Sequence, residues 1–115
     1  MLPRENRLKT KFEYTVAKKY GGYYSGHFFH LYIVKPTNYT GPTKVGIVIS
    51  NNFHKSAVKR NRVKRLYREA IQKNLALFPQ NLWVAIYPKF SSIEKTYEEI
   101  CTDFDQTLQK VSFTN

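Results

Sequence analysis

The chain has 115 residues, 42% of them hydrophobic, which is enough for one compact domain spanning residues 1–115. Lys and Arg number 19 against 8 Asp and Glu, and the net charge of +11 favours a polyanionic partner, above all nucleic acid. The single cysteine, Cys101, excludes an intramolecular disulfide and a cysteine-rich zinc site.

Positive charge is concentrated in the N-terminal two thirds of the chain. Residues 1–73 hold 16 of the 19 Lys and Arg but 3 of the 8 Asp and Glu. We therefore expect nucleic-acid binding to concentrate there. An alternative is that the lysines only keep a small protein soluble, but the excess is larger than that role requires.

The N-terminal residues Met1–Arg7 are charged and contain no apolar segment, so they do not resemble a secretory signal peptide. No later apolar run reaches the length of a membrane-spanning helix. Because one cysteine also suits a reducing compartment, we expect a soluble, cytoplasmic protein with no membrane partner.

Hydrophobic spacing predicts a helix and then a strand in the first third of the chain. Apolar residues at intervals of four indicate an amphipathic helix over Leu8–Lys19, and these are Leu8, Phe12, Val16 and Tyr20. Alternation then predicts a strand over Gly26–Val34. Its period of two places Phe28, His30 and Tyr32 on one face.

A loop and a second strand are expected next. Residues 35–42 contain two prolines, a glycine and an asparagine, which favour a loop. We expect the strand that follows, Lys44–Ser50, to pair with the first strand as a hairpin. Ser56 is the expected N-cap of a long helix that ends near Leu77, before Pro79.

The C-terminal third predicts one strand and one helix. The apolar run Leu82–Tyr87 is typical of a strand buried on both faces in the middle of a sheet. Helical spacing of apolar residues starts at Tyr97, with Ser91 and Ser92 as candidate caps. The order helix, strand, strand, helix, strand, helix indicates an α+β fold, a two-layer α/β sandwich.

The helix after Ser56 has two chemically different faces. One is apolar apart from an asparagine, and consists of Val63, Leu66, Tyr67, Ala70, Ile71, Asn74 and Phe78. The opposite face gathers polar and basic residues, namely Asn61, Arg62, Arg65, Arg68 and Gln72. Since Glu69 is the single acid between Ser56 and Glu69, the basic side chains lack partners within the helix.

Three cations, Lys59, Arg60 and Arg62, lie in the first two turns of this helix, where each opposes the helix dipole by about 0.3 to 1 kcal/mol when exposed. The free N–H groups of a helix N-terminus and nearby guanidinium groups form a natural phosphate site. Bound RNA would turn this local repulsion into attraction. A merely solvated basic face is the alternative.

The run Lys59–Glu69 closely resembles the Arg-Asn-Arg motif region of the bacterial ribonuclease P protein component, and the resemblance spans nearly the whole chain. Four further segments resemble the family's opening, its strand before the motif, its penultimate strand and the start of its last helix. They are Asn6–Lys9, Val45–Ser50, Trp83–Ile86 and Tyr97–Ile100.

This resemblance implies a subunit that binds the catalytic RNA of ribonuclease P, one copy to each RNA, and holds the 5′ leader of precursor tRNA. The RNA would carry out hydrolysis with Mg²⁺, so the protein itself would have no catalytic side chain and no tightly bound metal. The implied fold is that of ribosomal protein S5 domain 2, with a left-handed strand-helix-strand crossover around the basic helix, against the usual right-handed rule.

Carried over by position, the resemblance places seven residues against the catalytic RNA: Lys59, Arg60, Asn61, Arg62, Lys64, Arg65 and Arg68. Tyr14 and Tyr32 match aromatic positions of the leader-binding cleft. Phe28 and His30 join the cleft because they share the strand face of Tyr32, where rings that stack on bases contribute about 1 to 3 kcal/mol each. Ordinary core packing is the alternative for each ring.

Two departures from the family pattern are visible. Lys18 stands at a cleft position that is often aromatic, and the loop at residues 51–55 is less basic than is typical. Both bear on how tightly this chain would hold RNA at those points.

An independent nuclease would need clustered carboxylates or a histidine acid-base pair. His27 and His30 are expected on opposite strand faces, His54 is isolated, and we expect the C-terminal acids on a helix exterior, namely Glu94, Glu98, Glu99, Asp103 and Asp105. Two alternatives remain: a ribosomal RNA-binding protein, and a DNA-binding protein that places the basic helix in the major groove.

Overall fold

A computed structural model describes residues 3–37, 39–50 and 52–111 of the chain. Within these ranges three α-helices accompany a four-stranded sheet, which confirms the α+β class. In chain order they are α1 (Lys11–Tyr20), β1 (Gly22–Ser25), β2 (Phe29–Val34), β3 (Lys44–Ile47), α2 (Ala57–Asn74), β4 (Trp83–Pro88) and α3 (Tyr97–Gln109). No helix in the described ranges combines the length and apolar character needed to cross a membrane.

The sheet order is β1-β2-β4-β3, which confirms that β4 lies inside the sheet. The expected hairpin is wrong, because β4 lies between β2 and β3 and pairs with both. β4 is antiparallel to β2 and parallel to β3, so the chain must cross over through α2. This parallel β3-α2-β4 unit is the crossover that the resemblance implied, and its hand rests on that resemblance.

β1 has no counterpart among the predicted strands, and it pairs with β2 in an antiparallel arrangement. This strand is four residues long at the sheet edge, and three of its residues are exposed. A strand without a buried face has no alternation of apolar and polar residues, so the pattern that identifies strands is absent here.

Side-chain caps fix where the helices begin. Ser56 caps α2 as expected, accepting a hydrogen bond from the backbone N–H of Lys59. For α3 the expected caps are wrong: Ser91 and Ser92 lie in a short 3-10 helix, and Thr96 caps α3 instead. Thr96 forms a reciprocal capping box with Glu99, which satisfies two N–H groups at once.

The main core lies between α2, α3 and one face of the sheet. Its fully buried large side chains include Phe29, Leu31, Ile71, Ile86 and Phe104. A smaller cluster on the other face packs against α1 and consists of Leu8, Ala17, Val34, Trp83 and Ala85. One face of the sheet is therefore covered by α2 and α3. The opposite face, which we call the α1 face, is covered by α1 only in part.

Asp103 corrects the expectation that the acids of the last helix all face outwards. Its side chain is buried, and its two carboxylate oxygens accept hydrogen bonds from the backbone N–H groups of His27 at 2.8 Å and Phe28 at 2.9 Å. His27 accordingly lies before β2 and not on it. The carboxylate thus ties α3 to the segment that enters the sheet.

We expect Asp103→Ala to lower the free energy of unfolding by about 2 to 3 kcal/mol, because it leaves two partly buried N–H groups without their charged acceptor. Gln106→Ala, at an exposed position of the same helix, should change it by less than about 0.5 kcal/mol. Urea unfolding of both variants measures the difference. Equal unfolding free energies would show that the Asp103 contacts do not stabilise the fold.

Candidate nucleic-acid interface

The apolar face of α2 is buried as the helical wheel predicted. Val63, Tyr67, Ala70 and Ile71 are completely buried. The exception in the pattern, Asn74, is also buried, and its side-chain amide donates to the backbone carbonyl of Ala70 and the carboxylate of Asp105. The Asn74 amide therefore links α2 to Asp105 on α3, which helps to hold the helix against the core.

Tyr67 holds the buried face of α2 to the sheet. Its hydroxyl donates to the backbone carbonyl of Phe28 at 3.1 Å. Burial, together with the nearby charge of Asp103, raises the pKa of Tyr67 far above the ordinary value. The hydroxyl therefore stays protonated at neutral pH and can act as the donor to Phe28.

The opposite face of α2 presents unpaired positive charge. Lys59, Asn61, Arg65 and Arg68 are exposed, and Lys64 is half-buried. Among the described residues, the ion pairs are Lys44 with Glu13 and Lys73 with Asp105, and neither involves these side chains. The cations of this face are thus available to an external anion.

Arg60 and Arg62 have a second role that the sequence did not reveal. Arg60 donates to the backbone carbonyls of His54 and Lys55, just before α2. Arg62 is half-buried and was expected on the outward face, but it donates to the carbonyls of Ile93 and Lys95, each at 2.9 Å. These acceptors are neutral, so the positive charge of both side chains stays uncompensated while their hydrogen bonds hold the neighbouring segments against α2.

Beside α2, a cavity of about 200 Å³ joins the basic face to the predicted cleft. Its walls include Arg7, Lys64 and Arg68 together with Tyr14 and Gly46. Arg7 was not predicted as a site residue, and its only signal in the sequence was its place in the matching Asn6–Lys9 segment. Three cations around one cavity form a suitable site for a phosphate group.

Gly46 allows Tyr14 to lie against the sheet. A Cβ atom at Gly46 would lie 1.9 Å from the Tyr14 hydroxyl oxygen, so the Tyr14 ring could not keep its place. The same hydroxyl donates to the carbonyl of Leu8 at 3.0 Å, and burial raises its pKa. Tyr14 is therefore fixed in place, with its neutral ring forming part of the cavity wall.

A group of aromatic side chains lies on the open part of the α1 face. Tyr32 packs edge-on against Tyr87 at 5.5 Å and contacts Tyr23 at 5.2 Å. The hydroxyl of Tyr23 is hydrogen-bonded to Nδ1 of His30, whose pKa is lowered by burial and by the charge of Lys89. Tyr23 and Tyr87 were missed because β1 was missed and β4 was treated only as a buried strand.

Lys18, the departure from the family's aromatic preference, lies over one of these rings. Its ammonium group is 5.2 Å from the centre of the Tyr87 ring. A cation over the face of a tyrosine gains roughly 0.5 to 1 kcal/mol at an exposed site. Residue 18 therefore contributes a positive charge next to the Tyr87 ring, where the family often has an aromatic side chain.

Phe28 does not share the strand face of His30 and Tyr32, so that expectation is wrong. It lies before β2, where the alternation of the strand has not begun, and its backbone is held by Asp103. Its ring contacts His27 and lies 5.1 Å from the ammonium group of Lys95.

Comparison with known proteins gives a consistent result. The sequence profile of the family Ribonuclease P matches residues 2–112. The ribonuclease P protein component of Pseudanabaena sp. (strain PCC 6903) is 31% identical over 110 residues, covering 96% of this chain and 94% of the relative. That of Finegoldia magna is 32% identical over 106 residues, covering 92% and 90%.

Solved structures agree on the fold. The RNase P protein of Staphylococcus aureus superposes with a TM-score of 0.81 at 19% identity, covering 96% of this chain and 98% of that one. The RNase P protein from Thermotoga maritima superposes with a TM-score of 0.77 at 19% identity, covering 92% and 97%.

The two kinds of arginine on α2 should respond differently to truncation. We expect Arg62→Ala to lower the free energy of unfolding by about 1 to 3 kcal/mol, because two half-buried carbonyls lose a charged donor. Arg65→Ala, at an exposed site without a partner among the described residues, should change it by less than about 0.5 kcal/mol. Chemical denaturation without RNA tests this, and a matching loss in both variants would contradict the bracing role.

Proposed function

The chain belongs to the bacterial ribonuclease P protein family, and we propose that it binds the catalytic RNA of ribonuclease P through the exposed cationic face of α2. The observation that carries this proposal is the set of cations on α2 that no described carboxylate neutralises. Ribonuclease P processes the 5′ end of tRNA, so the proposed place of action is the cytoplasm. We further propose one copy of the protein for each RNA.

Electrostatics support a phosphate backbone as the ligand. Each Lys or Arg that contacts a phosphate releases condensed counterions, so several such contacts together give strong but salt-sensitive binding. Because the apolar face of α2 is anchored in the core, these cations are presented on a rigid helix and lose little freedom on binding. A flexible basic tail would lack this advantage.

The aromatic group on the α1 face supports a second RNA contact, to the leader of precursor tRNA. Tyr14 and Tyr32 were predicted there, and Tyr87 and Lys18 extend the same surface. Single-stranded RNA is bound by stacking of splayed bases on rings and by cations that follow its backbone. This surface offers both, and the cavity lined by Arg7, Lys64 and Arg68 connects it to α2.

Chemistry by the RNA with Mg²⁺ is part of the proposal. Among the described residues no three His, Cys, Asp or Glu side chains lie together in a way that would hold a metal ion. We propose that the ions are held mainly by the partner RNA. The role left to the protein is binding and positioning of the two RNAs.

The two alternatives raised by the sequence are weaker. A ribosomal component would share the basic helix, but the family match covers nearly the whole chain and not the helix alone. Entry of α2 into a DNA major groove is disfavoured because the helix is built into a parallel crossover between β3 and β4. In a pulldown, selective retention of ribosomal RNA would support the ribosomal alternative, and selective retention of duplex DNA would support the DNA-binding alternative.

Reconstitution with a bacterial ribonuclease P RNA tests the function directly. At low Mg²⁺ we expect cleavage of precursor tRNA to depend on this protein, because its cations replace part of the screening that Mg²⁺ provides. Cleavage that is equally fast without the protein, while the RNA alone is active at high Mg²⁺, would contradict the proposal.

The leader contact is tested by Tyr32→Ala. Loss of one stacking ring should weaken binding of leader-bearing precursor to the reconstituted complex by about 1 to 3 kcal/mol and leave mature tRNA unaffected. Phe90→Ala is a matched control, since Phe90 is an exposed ring that contacts Phe53 and His54 near the start of α2. Equal losses for precursor and mature tRNA would instead indicate a folding defect.

A further inference from the structure

A second aromatic surface lies on a different side of α1 from the proposed leader contact. We call it the aromatic groove, and its main side chains are Phe12, Tyr20, Lys35, Tyr39 and Trp83. It is a depression of about 670 Å³ between α1 and the chain that follows β2. This volume is within the usual range of sites that bind small molecules or single nucleotides, about 300 to 1,000 Å³.

Three of the four residues of the apolar stripe that predicted α1 from the sequence line the groove, namely Phe12, Val16 and Tyr20. A stripe of this kind normally faces the protein core, yet Phe12 is 69% exposed and Tyr20 is 68% exposed. The buried positions of α1 are Glu13 and Ala17. Two large rings held open to solvent on one helix face, beside a concave surface, are the usual sign of a binding site.

Trp83 forms the floor of the groove. Phe12 meets its ring edge-on with the ring centres 6.4 Å apart, and the ring centre of Tyr39 lies 5.6 Å from that of Trp83. The indole N–H is buried and has no acceptor among the described residues, which is uncommon for a tryptophan. The floor is therefore aromatic, and the exposed rings of Phe12 and Tyr20 are available for stacking.

Positive charge surrounds these rings. Lys35 lies in the groove wall, Lys19 is 5.4 Å from the Tyr20 ring centre, and Lys44 is 5.4 Å from that of Tyr39. The neighbouring acid, Glu13, is ion-paired with Lys44 at 3.1 Å. Burial would raise the pKa of Glu13, but hydrogen bonds from backbone N–H groups and Lys44 hold it below the ordinary value.

These features specify the chemistry of the occupant. A flat ring system suits the aromatic walls, and a negative charge suits the lysines at the rim. A second copy of this chain is disfavoured, because each copy carries a net charge of +11 and the rim would meet another positive surface.

We propose that the aromatic groove binds an unpaired nucleotide of an RNA strand, with the base stacked on Phe12 and Tyr20 and the phosphate at Lys35. The RNA source rests on the proposed function, whereas the nucleotide chemistry rests on the groove itself. The groove gives the protein a stacking site separate from α2 and from the Tyr32 surface.

Trp83 is the single tryptophan of the chain, so its fluorescence reports on the groove. The full-length protein is titrated with a short single-stranded RNA and, separately, with adenosine monophosphate and uridine monophosphate. We expect saturable quenching by the oligonucleotide at concentrations at which the monophosphates have no effect. Phe12→Ala should weaken this binding by about 5- to 150-fold, the range expected for one stacked base.

Two control variants isolate the groove. Phe90→Ala removes another exposed ring, and Gln106→Ala changes an exposed position of α3, so neither should alter the quenching of Trp83. Phe12 is itself 69% exposed, so Phe12→Ala should keep the wild-type unfolding transition.

Several results would overturn the proposal. They are an unchanged Trp83 signal with saturating RNA, equal affinities of the Phe12→Ala and Phe90→Ala variants, and quenching by monophosphates at the same concentrations as RNA. A concentration-dependent dimer that shifts the Trp83 emission without RNA would identify a second copy as the occupant. If the catalytic RNA is still retained in each case, the groove proposal fails alone; if it is not, the proposed function fails.

Discussion

The fold depends on the burial of one face of α2 against the sheet. Val63, Tyr67 and Ile71 are completely buried there, which by itself removes enough apolar surface from water to contribute several kcal/mol. The same packing forces the opposite face of α2 outwards. Cations that repel one another are therefore held at fixed positions on the surface, and this is unfavourable for the free protein unless an anion binds. The stability of the core thus maintains a surface whose charge is suited to RNA.

Arg60 and Arg62 connect the two roles of α2. Each donates to backbone carbonyls of neighbouring segments, so these side chains are held in place before any ligand arrives. Neutral acceptors leave their charge uncompensated, in contrast to Lys73, which faces Asp105. The motif that resembles the family signature therefore combines structural arginines with exposed cations such as Arg65. Truncation of Arg62 therefore tests mainly its structural hydrogen bonds, whereas truncation of Arg65 tests mainly its charge.

Periodicity predicted the elements with a buried face, and it failed where burial was absent or incomplete. The apolar face of α2 and the central position of β4 followed from their patterns. β1 was missed because it is exposed, and the stripe of Phe12 and Tyr20 on α1 proved to face a groove instead of the core. Local sequence patterns could not predict contacts between distant segments, because these depend on tertiary packing. Two examples are the insertion of β4 between β2 and β3 and the contact of Asp103 with the chain before β2.

The central claim is that exposed cations of α2 contact phosphate groups. It is tested most directly by the affinity for the catalytic RNA of ribonuclease P measured over a range of salt concentrations, for the wild-type protein and for the Arg65→Ala variant. We predict a steep fall in log affinity with log salt for the wild-type protein, and a slope smaller by about one unit for Arg65→Ala. A wild-type affinity that is insensitive to salt, or an identical slope in the variant, would contradict the claim.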